Sequence, residues 1–186
     1  MFDQTRIKGK PKIDEEKIRI TRKTPEKDML RYGDYDCHGC THCCEYGGGI
    51  VLEHEIEPMA KRLRITKEEF RKEYLDEIER FNKKVWKFKV KSRKGLPFGS
   101  CVFLEKGCKI HDVKPLYCRI TTCGKLARKQ LLWFDINHLV EPTDPEAIRQ
   151  WAQYLQYGEL IEGGELEELV PDKERLKKIL SYEIFK

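Results

Sequence analysis

No apolar run in this chain approaches the ~20 residues that a membrane-spanning helix requires, so no helical membrane anchor is expected. The first residues, MFDQTRIKGKPK, lack the apolar core of a secretory signal, and a cytoplasmic location is expected. Motifs of independent hydrolases and dehydrogenases are also missing: there is no HExxH, no Ser/His/Asp order and no dinucleotide fingerprint. Gly47, Gly48 and Gly49 form a triplet, but no Lys-Ser/Thr follows it, so it is not a phosphate loop. The sequence therefore assigns no reaction and no catalytic residue. What is present is 186 residues, 39% hydrophobic and 37% charged, enough for one domain with a heavily charged surface rich in Lys and Glu, a bias shared with thermophiles.

Charge is unevenly placed. Residues 1–31 carry ten Lys/Arg against six Asp/Glu, residues 61–94 fourteen against six, and residues 135–186 six against twelve, for a net charge of +5. A basic N-terminal arm over 1–31, a central domain over 32–134 and a helical C-terminal extension over 135–186, packed on the same core, are expected. In the arm, Ile18 and Ile20 alternate with charges as an edge strand would. Ile56, Met59, Ala60 and Leu63 recur at helical spacing and predict a helix near 54–64, with Pro58 in its first turn. Thr66 and Glu69 form a capping box for a second helix carrying Phe70, Tyr74, Leu75 and Ile78 on one side.

The segment KKVWKFKVKSRK, residues 83–94, alternates so that Trp86, Phe88 and Val90 share a face opposite Lys87, Lys89, Lys91 and Arg93. A core-facing strand with a solvated basic face is expected. Its seven basic residues and no acids also admit nucleic acid as a partner, weakly, because Trp86 and Phe88 point away from the lysines. Cys101–Leu104 and Lys109–His111 are expected as two short strands around an EKG turn, followed by a loop over Cys118–Cys123. Thr143, Pro145 and Glu146 are expected to cap a helix with Ile148, Trp151, Ala152 and Leu155. Asp172 starts another with Leu176, Ile179 and Leu180. GELIEGGELEELV between them reads as a surface connection. The fold class is α+β: a small single domain with cysteine-rich metal-binding loops, short antiparallel strands and covering helices.

Eight cysteines fall into two groups of four: Cys37, Cys40, Cys43 and Cys44 in CHGCTHCC, and Cys101, Cys108, Cys118 and Cys123 further on. In a reducing cytosol such clusters bind metal rather than form disulfides. Thiolate is a soft ligand that suits zinc and iron–sulfur clusters, and CxxC places two sulfurs on one centre. Cys37, Cys40 and Cys43 reproduce the C-x2-C-x2-C spacing that holds a cubane 4Fe–4S cluster, with the fourth ligand remote; Cys118, three residues after Pro115, is preferred for it. Zinc in all-thiolate or mixed sites recruiting His38, His42 or His111 stays open. Cys43 and Cys44 are adjacent, and in extended backbone their side chains would diverge, leaving one for a second centre. His54 and His138 are assigned nothing, and Glu53, Glu55 and Glu57 are read as favouring a helix dipole.

CHGCTHCC, then IVLEHEIEPMAKRL, ITKEEFRKEYL and CVFLEKGCKIHDVKPLYCR, together resemble the CxxCxxCC cysteine-cluster family, also called YkgJ-like, whose domain is held to chelate zinc or iron. The resemblance covers residues 37–123. It implies metal or iron–sulfur binding through Cys37, Cys40, Cys43, Cys44, Cys101, Cys108 and Cys118, and it carries no activity over. His111, Lys114 and Thr122-Cys123 depart from the family's Tyr, Arg and Phe-Pro, so Cys123 joins the candidate ligands. A metal-binding protein is thus expected, carrying an iron–sulfur cluster with a redox or accessory role and a protein or redox partner. The alternative is a zinc-stabilised module binding nucleic acid or protein.

Overall fold

The computed structural model describes residues 17–36, 41–92, 94–96 and 98–184, so Cys37, His38, Cys40 and Arg93 lie outside the described residues. The expected edge strand near Ile18 reduces to one parallel bridge, Thr21 with Glu162, and Ile20 turns into the core. Helix α1 then runs over Glu26–Asp36, within and beyond the segment expected as an arm. Met29 and Gly33, four apart, form its buried stripe. A Cβ on Gly33 would stand 2.3 Å from the Arg119 carbonyl oxygen, so glycine is what lets α1 lie against the backbone of a later helix.

The core is organised by an antiparallel sheet in the order β1 (Ile50–Val51), β3 (Lys83–Phe88), β2 (Leu75–Arg80). Cross-strand pairs include Ile78 with Val85 and Leu75 with Phe88. Its two faces are both covered. Ile50 and Val85 belong to one apolar cluster, whereas Val51, Leu75 and Phe88 belong to another. The expectation of a single core face over Trp86, Phe88 and Val90 is corrected accordingly. Phe88 and Val85 are buried on opposite faces, Trp86 is half-buried with its Nε1 donating to Glu53 (3.0 Å), and Val90 is exposed. A middle strand between two layers reads as apolar on both sides.

The strand also ends early. At Lys89 the chain leaves this sheet, and β4 (Val90–Ser92) pairs instead with β5 (Gly99–Cys101) as a separate two-stranded sheet. The β2–β3 turn is Phe81-Asn82, both with positive φ (51° and 57°), a two-residue hairpin of the kind glycine and asparagine favour. Phe81 tolerates it because its ring is buried edge-on against Trp151.

Helix α3 (Ile56–Leu63) follows a 3-10 turn at Glu53–Glu55, and α4 (Lys67–Tyr74) is capped as expected, with Glu69 N donating to Thr66 Oγ1 (3.1 Å) and Thr66 N to Glu69 Oε2 (2.8 Å). It stops at Tyr74, and Leu75 and Ile78 lie on β2 rather than on the helix. Cys118 lies in helix α5 (Leu116–Ile120), not a loop. Helix α6 (Ala127–Phe134) continues into a π-helical turn, Asp135–Leu139, which periodicity did not suggest.

In the C-terminal part, α7 (Pro145–Leu155) is capped by Asp144 rather than Thr143, its Oδ1 accepting from Glu146 N at 2.8 Å. α8 is Leu166–Leu169 and α9 is Lys173–Leu180, the latter capped by Asp172. Ile148, Trp151, Leu176 and Ile179 join the same cluster as Ile50 and Val85, while Leu180 is exposed. The supposed surface connection is partly internal: Ile161, Leu169 and Val170 are buried. The arrangement is a small single-domain α+β fold.

Candidate metal centre

The described chain resumes at Thr41, whose left-handed backbone (φ 61°) starts the one-turn helix α2, His42–Glu45. The Thr41 carbonyl accepts from Cys44 N (2.9 Å) and Glu45 N (3.2 Å), and its hydroxyl donates to Glu45 Oε1 (3.3 Å). Cys43 and Cys44 therefore stand about 100° apart on a helical turn, and their thiols hydrogen-bond to each other. Divergence was expected of an extended backbone, which this segment does not have.

The second group comes from three further places. Cys101 ends β5 and is buried; Cys108 pairs with Leu104 across a tight turn in which Glu105 N donates to Gly107 O (3.1 Å). Of the two expected strands, Cys101–Leu104 contributes only the end of β5 and one side of that bridge, and Lys109–His111 forms none: Lys109 and Ile110 lie in a turn and the exposed His111 begins a 3-10 turn. Cys118 sits mid-helix in α5. A Cβ on Gly49 would come within 2.2 Å of Cys118 Sγ, and one on Gly48 within 2.0 Å of the Phe88 carbonyl oxygen. The glycine triplet is thus where backbone passes directly over a candidate ligand and the sheet. Cys123, beyond α5, is exposed.

Five thiols act on one another electrostatically. Burial pushes Cys101, Cys108 and Cys118 above the ordinary thiol range, and the charges of Cys101, Cys108 and Cys43 add to the effect on Cys118. Within α2 the hydrogen bond from Cys44 pulls Cys43 down to about 6 and, conversely, pushes Cys44 up. Lys114 favours the thiolates of Cys43, Cys108 and Cys118. Cys44, Cys108 and Cys118 are half-buried at the rim of the apolar cluster that contains Phe88, Phe103 and Ile110. Packed, partly desolvated thiols resist ionisation on their own, and a soft cation reverses that balance. Among the described residues, no three His, Cys, Asp or Glu side chains converge closely enough to hold an ion. The donor chemistry nonetheless fits a thiophilic metal: α2, β5, α5 and the Leu104–Cys108 bridge all supply sulfur.

The supporting residues were not legible as such. Glu55, read as a helix-dipole residue, spans two segments. Its Oε2 accepts from Leu52 N (2.8 Å) and its Oε1 from Leu116 N (2.6 Å), the first residue of α5. It therefore braces the helix that bears Cys118. Burial pushes its carboxyl above the usual range. Tyr117 packs edge-on to Phe134 and is held neutral by burial, between Cys118 on one side and the Arg80–Asp135 ion pair (2.5 Å) on the other. Of the histidines, His42 packs at a tilt against Tyr46, His54 is exposed, and His138 packs against Trp133 and Phe134.

Comparison with known proteins assigns the span that holds these thiols to a family. Residues 36–136, more than half of the chain, match the family CxxCxxCC, described as "Putative zinc- or iron-chelating domain". An uncharacterised protein of Methanocaldococcus jannaschii, MJ0661, is 30% identical over 109 residues, which is 54% of this chain and 54% of that protein. The chain thus spans about half the length of the curated relative it matches. No solved structure matches. The cysteines, the helices between them and the CVFLEKGC block all fall inside the matched span, and the chain belongs to the CxxCxxCC family of zinc- or iron-chelating domains.

Proposed function

We propose that this chain is an iron–sulfur protein with a redox or accessory role. Cys37, Cys40 and Cys43 hold a 4Fe–4S cluster together with Cys118, and Cys44, Cys101 and Cys108 act on the same or an adjoining centre. The carrying observation is that Cys118, remote in sequence, packs into the same apolar cluster as Cys44, Cys101 and Cys108. The number of thiols favours a cluster over one closed zinc site, because structural zinc takes four ligands, whereas Cys44, Cys101, Cys108 and Cys118 pack in or against one apolar cluster and Cys43 adjoins Cys44 on α2. Cys37 and Cys40 directly precede them in sequence.

When bound, such a cluster supplies one-electron transfer. The chain's own residues do the rest. Lys114 stabilises thiolates, and Phe88, Phe103 and Ile110 keep water from the inner side. Gly49 and Glu55 fix where Cys118 stands. Cys123, exposed past α5, is the candidate whose replacement costs least metal.

The test is anaerobic purification with absorption, iron, zinc and acid-labile sulfide measured on one sample. A broad band near ~400 nm with about four irons and four sulfides per chain is expected for a thiolate-held cubane. Zinc at about one or two per chain without sulfide would overturn it and leave a thiolate zinc module. Its basic strand would then be tested against nucleic acid.

A further inference from the structure

Helix α2, which carries Cys43 and Cys44, presents a ladder of exposed rings. His42 lies 4.7 Å from Tyr46, and Tyr46 lies 5.1 Å from Phe98, measured between ring centroids. Tyr46 is 50% exposed and Phe98 36%; on the same β4–β5 hairpin, Val90 is 42% and Leu96 48% exposed. Val90 pairs directly with Cys101, and α2 packs on β5, so the patch adjoins two of the elements that carry the thiols. A cluster of aromatic and aliphatic side chains left in water beside a reactive centre marks a recognition surface.

The surrounding charge indicates what that surface recognises. Glu105 is paired with Lys109, and Asp112 with Arg62. Lys91, Lys94 and Lys114 have no carboxylate partner within salt-bridge distance among the described residues. Lys91 donates only to the Leu104 carbonyl (3.1 Å), although its field reaches Cys101 as that of Lys114 reaches Cys43, Cys108 and Cys118. Against these three lysines stands Glu45 on α2, which accepts from the Thr41 hydroxyl, so the rim is net cationic around an apolar centre. Val90 and Leu96 contribute burial but no stacking, which favours a protein surface over single-stranded bases, whose affinity comes from ring faces.

We propose that α2 and the β4–β5 hairpin form a docking surface for an acidic protein partner, seated over the thiol cluster. The purpose of such a contact rests on the metal-centre reading above, whereas the contact itself does not.

The probe is a glutamate–tyrosine copolymer, titrated against metal-loaded and metal-depleted full-length protein, with single-stranded oligothymidylate in parallel. Copolymer binding is expected in both forms and weakens as salt is raised. It falls about tenfold or more in Tyr46→Ser/Phe98→Ser and in Lys91→Glu/Lys94→Glu, as truncation of anchor residues does. Lys173→Glu/Lys177→Glu, on α9, leaves it unchanged. Unaltered binding by the patch variants overturns the proposal. So does tighter binding of oligothymidylate through the same residues, or sedimentation showing the patch consumed by a second copy of the chain. Metal content, read on the same samples, separates the two inferences: an absent metal defeats the centre, and patch-independent binding defeats the surface.

Discussion

At the scale of single residues, the candidate centre depends on what is left out as much as on the thiols. Gly49 does not occupy the left-handed region, so its requirement is steric: any side chain meets Cys118 Sγ at 2.2 Å. Gly49→Ala should cost about 1–3 kcal/mol, the usual range for overpacking. Bound metal should fall with it, as checked by denaturant unfolding and metal analysis of one preparation; full metal occupancy would refute the close approach. Among the cysteines, Cys40→Ser should release metal and lower Tm, whereas Cys123→Ser should retain most of both. Elemental analysis with thermal melting decides it, and equal losses would place Cys123 among the ligands. The cysteine spacing was visible in the sequence, and so was the glycine triplet beside it. The identity of the atom beneath Gly49 was not, because it belongs to a residue 69 positions away.

Individual elements are too short to position ligands unaided. α2 is one turn and α5 is five residues, well below the length at which a helix stands alone in water. Their geometry comes from braces. Glu55→Ala removes the acceptor of two backbone N–H groups, at Leu52 and Leu116, and should cost about 2–4 kcal/mol at ~1.5–3 kcal/mol per charged hydrogen bond less what water restores. Chelator competition should show weaker metal retention by Glu55→Ala and partial recovery in Glu55→Gln, whose amide oxygen keeps one bond; identical retention in all three would exclude a positioning role.

The π-helical turn offers a second element-scale test. Asp135 is buried, facing Arg80 with Tyr117 alongside, and burial pushes its carboxyl up to about 6 from an ordinary 3.8. A raised carboxyl means the folded state binds the proton more tightly, so its contribution is present below the ordinary value and lost as pH rises through about 6. Relative to Asp135→Asn, the native protein should lose about 2 kcal/mol between pH ~4 and pH ~7, at ~1.4 kcal/mol per pKa unit. Urea unfolding at both pH values checks this, and parallel behaviour of the two proteins would rule it out. Caps such as Thr66/Glu69 and Asp172 were readable because their partners are three residues away. The Phe81-Asn82 hairpin was not, since its backbone is tolerated only through burial against Trp151.

Across the whole molecule, the sheet divides two apolar clusters, and the thiols lie on the rim of the one formed by α3, α4 and the β5 region. The other, larger cluster joins α1, α6, α7 and α9 and contains none of the described cysteines. Metal binding couples to folding where ligands come from separated segments. Removing metal with a chelator should therefore lower Tm and raise amide exchange over residues 41–46 and 99–118, leaving α7 and α9 protected. Hydrogen exchange by mass spectrometry reads this directly, and uniform loss of protection would mean that the two clusters unfold as one unit.

By itself the sequence determined the α+β class, the Thr66 and Asp172 helix starts, the family and the clustering of the thiols, since these depend on residue type and on spacing within a few positions. Tertiary structure alone decided that β3 is covered on both faces, that Lys89 ends one sheet and β4 begins another, and that Glu55 holds α5 rather than a helix dipole. It also brought Cys118 into the apolar cluster that holds Cys101 and on which Cys44 and Cys108 pack. The reason is physical: periodicity and capping are set by neighbours along the chain, whereas burial on a second face and the gathering of distant cysteines into one apolar cluster arise only once separate segments pack against one another.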